Sequence, residues 1–136
     1  MSAARPPPAA WNVALWVAQV LLAGAFGMAG VMKMSMPIAE LTEKLVWPGA
    51  LPPGLVRFIG ACELAGALGL IMPAAAGIRP MLTPLAAAGL ATVMVFASVF
   101  HVARGEVRML PVTLVLGTLA AFIAWGRARK APIPAR

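Results

Sequence analysis

Glu63 is the residue in this chain that most needs a reason. It lies inside the run Leu55–Met72, which is otherwise apolar apart from Arg57 near its start. A charged group at the centre of a bilayer costs about 2.5–3.5 kcal/mol even on the lenient insertion scale, so such a carboxyl must face inward and find company. Lys33 ends the preceding apolar run, Arg57 begins Glu63's own, and His101 and Arg104 end the next one. Arg57 sits six residues from Glu63, about 9 Å along a helix and off its face, which makes it a poor direct partner. Lys33 reaching inward, or His101 from a facing helix, is a better one. Glu63 and His101 are therefore the candidate catalytic residues, a carboxyl and an imidazole able to give and take a proton. Lys33, Arg57 and Arg104 are the candidate ligand-binding residues, and the carbonyls of a lipophile such as a quinone could accept hydrogen bonds from Lys33, Arg57 or His101. The plainer readings stand beside these. Glu63 could make a purely structural interhelical hydrogen bond, His101 could meet headgroups or water, and the three basic side chains could be snorkelling anchors.

The elements that must carry these residues are apolar blocks. Of the 136 residues, 62% are hydrophobic and 11% charged, and the mean hydropathy is +0.92. A soluble domain carries about 25% charged residues. The blocks run from Trp11 to about Met32, Leu55 to Met72, Met81 to Ala103, and Met109 to Trp125. Each approaches the roughly 20 residues that cross the hydrocarbon, and backbone groups in lipid must pair within a helix or a closed barrel. Their length and lack of alternation exclude strands. The connection Lys33–Gly54 holds Ile38, Leu41 and Leu45 at helical spacing, with Glu40, Glu43 and Lys44 on the other face. Pro37 suits its first turn and Pro48 stops it, so a short helix is expected on the membrane surface with Trp47 anchoring its end. The predicted fold class is all-α, a four-transmembrane-helix bundle with one interfacial helix between the first and second spans. Residues 1–10 read as a disordered Pro-rich leader, 11–126 as the membrane domain, and 127–136 as a basic cytoplasmic tail. Ala23-Gly24-Ala25 has the look of a signal-cleavage site, but apolar sequence continues past it to Met32, which favours an uncleaved span.

Net charge is +7 and the isoelectric point about 11.5. The basic residues flank apolar blocks, where they meet lipid headgroups, and no basic stripe with stacking aromatics points to nucleic acid. The side carrying the termini holds Arg5, Arg79, Arg127, Arg129, Lys130 and Arg136 without an acid. Lys33, Lys44, Arg57, Arg104 and Arg108 lie on the other side, beside Glu40, Glu43 and Glu106. The concentrated terminal cluster places both ends in the cytoplasm of a multi-pass protein of the plasma (inner) membrane. Glu106 and Arg108 read as a solvated turn. Cys62 is the one cysteine and reads as a small packing residue; with one His and no Asp, no metal set is expected. No covalently bound cofactor is indicated. Small residues at Ala61, Ala65 and Gly69, at Gly117 and Ala121, and at Gly24, Gly27 and Gly30 suit close helix packing, within one bundle or in a homo-oligomer.

Three stretches carry a family likeness: Gly24-Ala25-Phe26-Gly27-Met28-Ala29-Gly30-Val31-Met32-Lys33; the second-span segment from Arg57 to Leu70, with Gly60, Glu63 and Gly66-Ala67; and His101-Val102-Ala103-Arg104-Gly105-Glu106. In these the chain resembles the DoxX-like membrane protein family, in order and spacing, over about Trp11 to Trp125. The resemblance implies a four-helix membrane bundle and carries over Lys33, Arg57, Glu63, His101 and Arg104 as its polar positions. The family name derives from a subunit of a thiosulfate:quinone oxidoreductase, and some distant relatives are chaperones of other membrane proteins. The lack of a cysteine pair argues against a thiol–disulfide role here. Three functions follow as expectations. The first is a protein that binds a lipophilic small molecule, a quinone among the candidates, or serves as accessory subunit to a membrane redox partner. The second is an intramembrane enzyme using Glu63 and His101 on an epoxide, isoprenoid or quinol. The third is a non-catalytic chaperone or structural subunit.

Overall fold

The computed structural model describes residues 5–6 and 8–136, and every regular element among them, from Ala9 to Lys130, is a helix. Among the described residues four helices are long and apolar enough to cross a membrane, and this is an integral membrane protein. Helix α1 spans Ala9–Ser35, a run with no acidic residue and Lys33 in its last turn. Of the expected leader, residues 1–4 and 7 lie outside the described residues, while Ala9 and Ala10 already form the first turn of α1. Helix α2 (Ile38–Leu45) is the short amphipathic element expected between the first two spans; it follows Pro37 and buries Leu41. Val46 then turns the chain at φ 67°, ψ −56°, a conformation uncommon for a β-branched residue, and delivers Trp47 into a short 3-10 turn, Trp47–Ala50.

Helix α3 (Pro53–Ala76) starts behind Pro52 and stops at Gly77, whose φ of 68° lies in the left-handed region that glycine tolerates. It runs past Pro73, beyond the Met72 end of the apolar block. A proline removes the bond its N–H would have made to the carbonyl four residues back. Here that carbonyl, Gly69 O, accepts instead from Thr83 Oγ1 at 3.0 Å, so the lost bond is replaced from the next helix. Helix α4 covers Leu82–Ala103 and α5 covers Leu110–Trp125, joined by a tight turn at Gly105 (φ 72°). Beyond Trp125 the chain continues as one π-helical turn, Gly126–Lys130, and the last residue returns to donate Arg136 N–H to Gly77 O at 2.9 Å.

The principal helix contacts are α1 with α3, α3 with α4, and α4 with α5, while α1 meets α5 less extensively. At the end carrying the termini, Trp11 packs on Phe122 and Trp125 with ring centroids 6.1 and 5.6 Å apart. The main core, including Leu22, Phe26, Leu70, Leu90 and Ile123, fills this half. A second, smaller core of Leu41, Trp47 and Val56 sits under α2 at the opposite end. Between the two lies an open space bordered by all four spanning helices.

Candidate functional site

A cavity of about 550 Å³ occupies that space, walled by residues of all four spanning helices and by Leu45, Trp47 and Leu51 of the cap. Its lining is apolar except for a few side chains, among them Lys33, Glu63, His101 and Thr113. Phe58 and Phe96, 64% and 71% exposed, stand at its rim, so the cavity opens sideways toward the region of the acyl chains. A concave, mostly apolar site with a few convergent polar groups is the usual form of a small-molecule pocket.

Two glycines place the first polar pair. A Cβ on Gly30 would come within 2.7 Å of Gly60 O and 2.8 Å of Leu64 N, and one on Gly60 within 2.7 Å of Lys33 Cβ. Only bare backbone lets α1 and α3 cross this closely. From that crossing Lys33, one turn further along α1, reaches inward, and Glu63, one turn further along α3, receives it. Lys33 Nζ donates to both carboxylate oxygens, at 2.8 and 2.6 Å, with both residues buried. The ammonium also lies 5.4 Å from the Trp47 ring centroid. Arg57 does not join them. Its Nη1 donates to the carbonyls of Lys33 and Met36 at 2.7 and 2.6 Å, which satisfies orphan acceptors at the end of α1.

His101, 3% exposed, is bound not to Glu63 but to Glu106. Its Nδ1 lies 2.7 Å from Glu106 Oε2, while Arg104 Nε donates to Oε1 of the same carboxylate at 2.8 Å. These hydrogen bonds, His101's first and Arg104's second, hold the Glu106 carboxyl below the usual carboxylate range. Glu106 thus belongs to the site, though its sequence context reads as a solvated turn. Gly105 at positive φ folds the turn so that Glu106 N–H reaches His101 O at 2.9 Å. Arg104 itself is exposed and, like Arg57, does not line the cavity.

A second polar cluster lies at the far end of the bundle. Arg127, expected with the basic tail, turns inward and is 2% exposed. Its Nε donates to Gln19 Oε1 at 2.6 Å, and its Nη1 to Asn12 Oδ1 and Ala131 O at 2.8 and 3.0 Å. Gln19 in turn donates to Leu70 O at 2.6 Å, so one network ties α1, α3, the π turn and the tail. Asn12 and Gln19 interrupt the first apolar run, and those two interruptions were the available signal.

What the cavity can do chemically follows from which donors and acceptors remain. An ammonium has three N–H donors, and Glu63 uses two of those on Lys33. On the His101 ring, Nδ1 is taken and Nε2 is not. In the comparison with known families, the model described as the DoxX-like family matches residues 17–123, well over half of the chain and the whole polar end of the cavity. No curated protein and no solved structure matches the chain.

Proposed function

This chain belongs to the DoxX-like family, and from that premise we propose that it binds a lipophilic small molecule in the cavity beside Lys33 and Glu63. One observation carries the reading: a laterally open apolar cavity of about 550 Å³ whose wall includes a buried ion pair with one N–H donor left over. Such a volume suits a ring system with a short tail, and a quinone or its quinol is a member of this class, a ring oxygen accepting from Lys33. The protein then acts as a holder of that lipophile for a membrane redox partner. It sits in the plasma membrane with both termini in the cytoplasm. The test is native mass spectrometry of the full chain extracted in gentle detergent, for the wild type and for Ala97→Trp, which fills the cavity from α4. A lipophile of constant mass on the wild type and its loss from Ala97→Trp supports the reading. A wild type that carries nothing and takes up no added quinone or other lipophile refutes it.

A second reading is acid–base catalysis on the bound lipophile by Glu63 and His101. It is favoured by one observation, that both side chains line the same cavity from α3 and α4. Each is engaged by its own partner, Lys33 and Glu106, rather than by the other. Turnover that survives Glu63→Gln sinks this version of the chemistry.

A further inference from the structure

We propose that the cavity selects lipophiles whose head carries a hydroxyl group, a phenol or an alcohol, and that Glu106 sets this preference by fixing the tautomer of His101. The inference rests on the cavity being a lipophile site and names the head-group class that this site takes.

The argument runs outward from the turn. Glu106 N–H is bonded to His101 O at 2.9 Å and Gly105 N–H to Val102 O at 3.0 Å, so the backbone returns the carboxylate to the imidazole. Arg104 Nε holds the other carboxylate oxygen. The ring itself is fixed by edge-on contacts with Trp47 and Phe100, at centroid distances of 6.5 and 5.5 Å. An ionised carboxylate can only accept, so the proton of a neutral imidazole must sit on Nδ1. That leaves Nε2 as a bare acceptor on a buried ring that lines an apolar cavity. A ligand hydroxyl donates to it. An ether or ketone in the same position leaves Nε2 unpaired in apolar surroundings, and sites built this way reject the ligand that lacks the donor.

The same geometry says how to reverse the preference. In Glu106→Gln, Arg104 can still only donate, so the amide oxygen must face Arg104 and the amide N–H₂ must face Nδ1. The imidazole proton then moves to Nε2, and the cavity presents a donor in place of an acceptor. A purely structural role for Glu106 predicts no such inversion.

His101 is the only histidine, so selective ¹⁵N-histidine labelling of the full chain reports this ring alone. In nanodiscs at pH 8.5, the wild type is expected to show a protonated Nδ1 and a bare Nε2, and Glu106→Gln the reverse. The binding arm uses 4-octylphenol and its methyl ether, 4-octylanisole, followed by quenching of tryptophan fluorescence. The phenol is expected to bind the wild type about tenfold more tightly, the worth of one buried hydrogen bond. The ratio falls to about one or below in Glu106→Gln. His101→Phe, which keeps an aromatic ring beside Trp47 and Phe100, also abolishes it and covers the case in which the Gln variant does not fold. Equal affinities in the wild type, or a protonated Nε2, overturn the inference while leaving the cavity reading intact. Failure of both probes to bind removes both.

Discussion

Lys33 and Glu63, whose side chains are 9% and 3% exposed, cannot be separated cheaply. Removing one partner of a buried ion pair leaves an uncompensated charge and typically costs about 3–5 kcal/mol, whereas replacing both by apolar side chains of similar volume is close to neutral. Lys33→Met is therefore expected to lower stability by that amount, and Lys33→Met with Glu63→Met to recover most of it. Unfolding in a mild detergent titrated with a denaturing one measures both. A double variant as unstable as the single one shows that the pair does not account for the loss. This residue-scale logic was readable in the sequence because a mid-span carboxyl announces its own cost and Lys33 closes the adjoining run. The Glu106 contact was not, because a charged turn reads the same whether its carboxylate meets water or a buried ring. Arg127 was hidden for a related reason. Its acceptors, Asn12 and Gln19, are 115 and 108 residues away, and a basic residue after an apolar span has the ordinary reading of a headgroup anchor.

At the scale of helices, the site exists because α1 and α3 approach on bare backbone. Gly30→Ala would drive a methyl group against Gly60 O and Leu64 N, backbone atoms that cannot swing aside. A loss of about 1–3 kcal/mol is expected, the usual cost of overpacking, together with displacement of Lys33 from Glu63. Gly24→Ala, with nothing within 4 Å of the new Cβ, should change stability by no more than about 0.5 kcal/mol. The comparison is read by the same unfolding titration and by proteolysis of the reconstituted variants. Four spans and the interfacial helix were visible in the sequence as blocks of apolar residues and one amphipathic repeat. The contact register was less visible. Small residues recur on several faces of each helix, and of the glycines on α1 only Gly30 meets backbone, its counterpart on α3 being Gly60 rather than the Ala61–Ala65–Gly69 stripe. The continuation of α3 past Met72 was hidden for a different reason: whether a proline ends a helix depends on a neighbour able to take over the freed carbonyl, and Thr83 is such a neighbour.

At the scale of the whole molecule, the structure changes which charges can orient the chain in a membrane. A basic residue biases topology when it meets headgroups and water, so those drawn into the bundle should be set aside. At the termini end Arg127 is buried, which leaves Arg5, Arg79, Arg129, Lys130 and Arg136 exposed, with no acidic residue beside them. At the opposite end Lys33 is held by Glu63 and Arg57 by the last carbonyls of α1, leaving Lys44, Arg104 and Arg108. The near balance of the raw sequence thus becomes a clear excess at the termini. Both ends are expected in the cytoplasm: a fluorescent protein fused after Arg136 should fluoresce and a periplasm-dependent phosphatase at the same place should stay inactive. Neutralising Arg129, Lys130 and Arg136 together should produce a mixed population, whereas Arg127→Gln should act on stability and leave topology alone. An active phosphatase on the wild-type C-terminus would place the cavity's polar end, with His101 and the Glu106 turn, on the cytoplasmic side instead.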